Sequence, residues 1–276
     1  MINEDYIPKI DLSNLIAHGV NSPEAQNTIQ KIKKASEEVG FFTVTNHGVS
    51  SQSIDKITTT ARSFFHLPLD KKLTIAPKKW NKNTDTVYRG YFPSEVNGKE
   101  GLDIGDPLLT HDMTDLTQKE KFEVNHNMSA IDHDWQNTIN NYYDQVFGLG
   151  IHLFKALISC FSSNIELADF AFQRPKTLST LRFNYYPNQE KPVEISSQDG
   201  VALGCETHVD SGIMTILYQD KKGGLQVQNR HNLQWYDVPH DPQSYVVNSG
   251  LALQYLTNGH FKATNHRVLF NKEERI

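Results

Sequence analysis

His208 and Asp210 stand two residues apart in "CETHVDSGIMTILYQD", residues 205–220, at the edge of a run that otherwise reads as a buried strand. Alternate side chains of an extended chain share a face, so an imidazole nitrogen and a carboxylate oxygen at this spacing can bind one divalent metal. Two ligands need a third. Two histidines and a carboxylate on Fe(II) leave coordination positions open for a co-substrate and dioxygen, whereas three such ligands on Zn(II) leave one position for water. A His–Asp pair at a strand end is also an ordinary surface feature, so the third ligand decides between the readings. His231 in "RHN", His240 in "PHDP" and His260 after Asn258-Gly259 sit in turn-like settings where an exposed histidine needs no explanation. His266, in "ATNHRVLF", stands at the entry to an apolar strand as His208 does. Setting favours His266, and spacing alone leaves all four open.

The elements that must position these residues fall into a helical front and a strand-rich back. "IPKIDLS" reads as a strand, and "SPEAQNTIQKIKKASEEVG" as a helix with Ser22 as cap, Pro23 at its first position, Ala25, Ile29, Ile32 and Val39 on one face, and Gly40 as stop. "FFTVTNHGV" follows as a short buried strand. A second amphipathic helix fits "SQSIDKITTTARSFFHL", with Ile54, Ile57, Ala61, Phe64 and Phe65 inward and Pro68 ending it. Residues 76–133 carry weak periodicity and the turn signals "RGYFP" and "VNGKEG", and read as a long irregular region. "DWQNTINNYYDQVFGLGIHLFKALISCFS" then repeats apolar residues at helical spacing from Trp135 to Leu157. From about residue 178 the pattern turns into short strands: "TLRFNYYP", "GIMTILYQD", "GLQVQNR", "LQWYDVP", "YVVNSG", "LALQYLTNG" and "TNHRVLF". That rhythm is the rhythm of an antiparallel sandwich or barrel. With no linker or repeat, the expectation is one domain over 1–276, an α/β N-terminal region over 1–100 and a helix plus β core over 101–276.

Composition narrows the function classes. The 276 residues are 38% hydrophobic, enough for one large core or two modest ones. Net charge is −5 and the lysines are scattered in short groups, which argues against nucleic acid as a partner. No run approaches the roughly 18–20 apolar residues of a membrane span, and the opening "MINEDYIPKIDLS" lacks the order of a secretory signal, so the expectation is a cytoplasmic monomer away from the membrane. The two cysteines, Cys160 in an apolar helical pattern and Cys205 near the histidine pair, are too few for a disulfide framework or a thiolate zinc cage.

Eight strings in order along the chain, "IPKIDLS", "GFFTVTNHGV", "SFFHLPLDKK", "YRGYFP", "LRFNYYP", "HVD", "GGLQV" and "NHRV", resemble the iron(II)- and 2-oxoglutarate-dependent dioxygenases, in their isopenicillin N synthase-like branch. The resemblance implies a mainly β fold with helices, a double-stranded β-helix or jelly roll with an α/β N-terminal region and flanking helices. It implies His208, Asp210 and His266 as ligands of Fe(II), and Asn184 and Tyr186 of "RFNYYP" against 2-oxoglutarate. It also implies Arg275, nine residues after His266, on the distal carboxylate of 2-oxoglutarate, where a guanidinium's fixed fork suits two oxygens. Tyr88, Arg89, Tyr91 and Phe92 lie in the irregular region, which in this branch leans over the pocket, and are candidates for substrate contact. His47 is expected to order a turn, and Arg267 to serve as an ion-pair partner on the face opposite His266.

The implied activity couples oxidative decarboxylation of 2-oxoglutarate to hydroxylation, desaturation or ring formation on a small molecule, with Fe(II), 2-oxoglutarate and dioxygen as cofactor and co-substrates. Its alternatives are a 2-oxoglutarate-independent oxidative cyclase of the same fold, a zinc hydrolase on the same three ligands, and a non-catalytic small-molecule binder. The branch carries a serine two positions after the arginine, and the sequence ends at Ile276, so the expectation is that the C-terminal end of the fold is missing.

Overall fold

The computed structural model describes residues 6–94, 98–110, 116–128, 131–162, 165–175 and 177–276. In chain order the strands are β1 (Lys9–Asp11), β2 (Phe41–Thr45), β3 (Gly90–Phe92), β4 (Glu100–Ile104), β5 (Leu181–Tyr185), β6 (Glu194–Ile195), β7 (Ala202–His208), β8 (Met214–Leu217), β9 (Leu225–Gln228), β10 (Trp235–Asp237), β11 (Tyr245–Ser249) and β12 (His266–Leu269). The helices are α1 (Ser13–His18), α2 (Gln26–Glu38), α3 (Ser51–Phe65), α4 (Leu69–Leu73), α5 (Gln118–Glu123), α6 (His133–Ser159), α7 (Glu166–Ala171) and α8 (Leu251–Leu256). None of the described helices is long and apolar enough to cross a membrane. The chain divides into two compact units that interleave in sequence: Met1–Gly48, Leu149–Ile165 and Gln189–Glu273 form the first, and Val49–Gly148, Glu166–Asn188 and Glu274–Ile276 the second.

The first unit holds two sheets. One has strand order β1-β2-β11-β8 and the other β10-β9-β12-β7-β6. From β7 onward the chain crosses between them repeatedly: β7 lies in the second sheet, β8 in the first, β9 and β10 in the second, β11 in the first and β12 in the second. Phe41, Val39, Leu225, Val227, Val238 and Val246 meet in a shared apolar cluster. The Ser22 hydroxyl accepts the Ala25 amide and so caps a short 3₁₀ turn over Pro23–Ala25, from which α2 continues at Gln26 and buries Ile29 and Ile32. It stops at Gly40, whose φ of +79° suits a residue without a Cβ and whose Cα faces the Lys262 carbonyl so closely that a Cβ would overlap it.

Helix α8 replaces the strand expected over "LALQYLTNG". Leu, Ala and Gln are good helix formers, the segment buries Leu253 while Tyr255 and Leu256 stay exposed, and its amides close locally, Gln254 to Gly250 and Thr257 to Leu253. His208 also differs from expectation. It closes β7, a strand not anticipated from the sequence, and Ser211–Ile213 turn the chain into β8.

The second unit contains the antiparallel sheet β3-β4-β5, so the region 76–133 is less irregular than its weak periodicity suggests. Part of the turn expected at "VNGKEG" lies outside the described residues. Helix α3 is capped by Ser50 and buries Ile54, Ile57, Ala61, Phe64 and Phe65, the face its spacing predicts. Beyond β5, Tyr186 and Arg275 form an antiparallel bridge, with the Tyr186 amide donating to the Arg275 carbonyl at 2.8 Å and the reverse bond at 3.0 Å.

Glu274 ties that bridge to α3 and β5. Its carboxylate accepts from Arg62 at 2.6 Å and from Tyr185 Oη at 2.7 Å and lies 2.9 Å from His66 Nε2, while its amide donates to Asn188 Oδ1. Hydrogen bonding from His66 and Tyr185 outweighs partial burial and holds the Glu274 carboxyl down at about 2, against an ordinary 4.5. A depressed folded-state value means stability that is complete above the ordinary value and lost as pH falls from there towards about 2. Glu274→Gln is therefore expected to cost about 1 kcal/mol at pH 7 and to flatten the acid limb of the urea midpoint measured against pH. An unchanged acid limb would show that the cluster carries no such coupling.

Candidate metal centre

Three side chains of the first unit converge. His208 ends β7, Asp210 follows it in the loop, and His266 opens β12; their ligand atoms all lie within 4.8 Å of one another. Antiparallel pairing of β12 with β7 sets His266 directly opposite His208, and the two rings lie 4.2 Å apart. Asp210 Oδ1 stands 3.8 Å from His208 Nε2 and 3.7 Å from His266 Nε2. These separations are too long for hydrogen bonds and fall inside twice a metal–nitrogen bond, about 4.2 Å. His266 is buried and packs edge-on to Phe41, whereas His208 is the more exposed of the pair.

The tautomers are set by the backbone. His208 Nδ1 lies 2.7 Å from the Glu206 carbonyl and His266 Nδ1 lies 3.2 Å from the Thr264 carbonyl, each two residues upstream. A carbonyl only accepts, so each Nδ1 carries the hydrogen and each Nε2 is the ring nitrogen that faces Asp210. Asp210 supplies the negative charge. Burial works against its ionisation, but donation from Asn248 and Thr215 and the nearby His266 and His208 outweigh it, so its carboxyl sits below the ordinary value. His208 is raised, chiefly by a hydrogen bond with the Cys205 thiol, with burial opposing. Two imidazoles and one carboxylate oxygen directed at one point fit a facial set for Fe(II).

The histidines weighed against His266 lie elsewhere. His231 and His260 are exposed, and His240 Nδ1 lies 3.1 Å from the Gln219 carbonyl. His47 is buried against Tyr245, and burial lowers its pKa. Arg267 points away from the candidate centre, pairs with Asp199 and stacks over Trp235, as its position beside His266 implies.

The residues expected at 2-oxoglutarate belong to the second unit. Asn184 is half-buried on β5, opposite Gly101 of β4. Tyr186 and Arg275 are both buried, with the guanidinium 4.3 Å from the ring centre and Lys99 Nζ 5.6 Å from it. Tyr185 is buried as well, stacked on Phe65, so these two tyrosines do not divide into one inside and one outside as strand alternation suggests. Among the candidates for substrate contact, Tyr88 is half exposed and Phe92 half-buried edge-on to Trp80. Arg89 is buried against Glu123 and Thr180, and Tyr91 is buried with its hydroxyl on Glu100. Thr215 and Asn248, which hold Asp210, escape a reading of the sequence, since a threonine and an asparagine inside strands carry no spacing signal.

Comparison with known proteins gives the family. Residues 7–143 match the family model for the non-haem dioxygenase in morphine synthesis N-terminal region, and residues 177–276 match the 2OG-Fe(II) oxygenase superfamily. Isopenicillin N synthase of Penicillium rubens is 30% identical over 98% of this chain and 82% of its own length. A 1-aminocyclopropane-1-carboxylate oxidase of Dictyostelium mucoroides is 27% identical over 99% of this chain and 80% of its own. Among solved structures, a full-length Neurospora crassa protein in complex with alpha-KG and 5-formyluracil superposes with a TM-score of 0.78 at 26% identity, covering 99% of this chain and 84% of that one. With the same order of family segments along the sequence and a His–Asp–His cluster in place, the chain belongs to the iron(II)- and 2-oxoglutarate-dependent dioxygenases, in the isopenicillin N synthase-like branch.

Proposed function

We propose that His208, Asp210 and His266 hold the iron, that Asn184, Tyr186 and Arg275 receive 2-oxoglutarate, and that the chain hydroxylates, desaturates or cyclises a small-molecule substrate. The observation that carries this reading is the convergence of ligand atoms from two imidazoles and one carboxylate within 4.8 Å of one another. The repeated crossing of the chain between the two sheets of the first unit, from β7 to β8 to β9 and from β10 to β11 to β12, supports a double-stranded β-helix. That a similar solved structure holds alpha-KG supports 2-oxoglutarate as co-substrate.

Bound Fe(II) supplies dioxygen activation, with 2-oxoglutarate giving up two electrons as it loses carbon dioxide and becomes succinate. The protein's residues bind and orient. Asp210 offsets part of the dication's charge, and the backbone-anchored imidazoles resist rotation away from it. Arg275 offers a guanidinium fork whose pairing with a carboxylate is stronger for being buried, and its guanidinium carbon lies 4.3 Å from the Tyr186 ring centre. In the region 88–92, Tyr88 and Phe92 present ring surface to a substrate, and Arg89 and Tyr91 hold the segment from within.

Single replacement of His208, Asp210 or His266 with alanine is expected to abolish both Co(II) binding by metal-free protein and succinate release by the iron-loaded protein, with the far-UV spectrum unchanged. His231→Ala and His260→Ala are expected to behave like the parent. Full activity in His266→Ala would sink the ligand set.

Arg275→Gln is expected to raise the 2-oxoglutarate concentration for half-maximal turnover at least about tenfold, equivalent to about 1.4 kcal/mol, with the metal affinity kept. Oxidation at full rate with 2-oxoglutarate rigorously removed and no succinate formed would instead favour the co-substrate-independent oxidative cyclase.

A further inference from the structure

We propose that Thr215 and Asn248 are positioning residues that fix Asp210 as a one-oxygen ligand, keeping free the coordination position a chelating carboxylate would occupy. The proposal rests on the reading that His208, Asp210 and His266 hold the metal. Thr215 Oγ1 donates to Asp210 Oδ2 at 2.6 Å and Asn248 Nδ2 donates to the same oxygen at 2.8 Å. The other oxygen, Oδ1, is the one that faces both imidazoles. The two oxygens of one carboxylate are thus assigned different tasks. For Oδ2 to swing onto the metal it would have to give up two charge-assisted hydrogen bonds in a half-buried place.

The two donors are built into a sheet and not into a loop. Thr215 of β8 and Asn248 of β11 are direct cross-strand partners, and β11 is buried along its whole length between β2 and β8. Asn248 is 4% exposed. The backbone of the Asp210 loop is held from the same side: the Leu251 amide donates to the Asp210 carbonyl at 2.8 Å and the Gly250 amide to the Ile213 carbonyl at 2.9 Å. Gly250 approaches the Gly212 carbonyl so closely that any Cβ there would overlap it. With main chain and Oδ2 both fixed, Asp210 has one oxygen and one direction to offer. Three donors from three residues then leave three positions of a six-coordinate ion, the number that a chelating co-substrate and dioxygen together require.

The test uses Co(II) as a redox-inert probe on the metal-free full chain, with calorimetry for the metal and then for 2-oxoglutarate on the Co(II)-loaded protein. Thr215→Val and Asn248→Ala are each expected to weaken 2-oxoglutarate binding at saturating Co(II) by about tenfold or more, the range that partners of metal ligands command. Thr215→Ser, which keeps the hydroxyl, is expected to return binding to within about twofold of the parent. Parent-like affinities in both Thr215→Val and Asn248→Ala overturn the proposal. A variant too unstable to measure is replaced by an infrared difference spectrum of the parent on Co(II) addition, with Asp210→Asn identifying the band. A wide separation of the carboxylate stretches supports one-oxygen ligation, and a narrow separation overturns it. Failure of the parent to bind Co(II), or unchanged binding in Asp210→Ala, would sink the ligand set itself, whereas loss of binding in Asp210→Ala beside parent-like Thr215→Val and Asn248→Ala would sink the positioning role alone.

Discussion

The antiparallel register of β12 against β7, which places His266 opposite His208, is the constraint on which the candidate metal centre depends. Side chains alternate with a period of two along a strand, so a slip of one residue would send His266 to the other face and bring Arg267 in its place. The register is pinned from both sides, since β12 also pairs with β9, where His266 faces Val227. Arg267 locks it from the opposite face, with hydrogen bonds to Gln226 and Asp199 and its guanidinium over Trp235. A register shift between His266 and Val268 sits beside the site, the kind of bulge that re-aims a side chain at the end of a pairing.

Around that register the side chains of the site are held by hydrogen bonds from the protein itself. Backbone carbonyls fix both imidazole tautomers, and Asn248 and Thr215 keep the Asp210 carboxyl ionised although burial opposes it. Polar groups so arranged add little to the stability of the fold, because each desolvated donor and acceptor gives back most of what its hydrogen bond contributes. Their value is positional. A metal bound there meets its ligands in place and does not have to reorganise them.

The second unit meets a different requirement with different means. Its residues of interest are held by charge as much as by apolar packing: Glu274 gathers Arg62, His66 and Tyr185 immediately before Arg275, and Lys72, Glu100 and Tyr91 form a second buried knot. Such networks cost desolvation and are retained where a backbone must be fixed, here the Tyr186–Arg275 bridge.

The faces of α2 and α3, the strand-rich character of the back half and the His208, Asp210 and His266 trio that the fold brings together were legible in the sequence, because helical period, capping residues and an ordered set of family strings are local signals. Strand β7 was not, since its polar end hides the alternation, and the sequence of α8 reads equally as a strand because six residues fit either period. The burial of Arg89 and Tyr91 depended on partners 34 and 9 residues away, Glu123 and Glu100. Thr215 and Asn248 are the sharpest case. Nothing in a threonine and an asparagine 33 residues apart marks them as a pair, and only the pairing of β8 with β11 brings both onto one oxygen of Asp210. The sequence by itself determined which side chains can ligate a metal, because that is a property of residue type. The tertiary structure decided which way each of them points, because direction is set by hydrogen bonds between strands that the chain visits far apart.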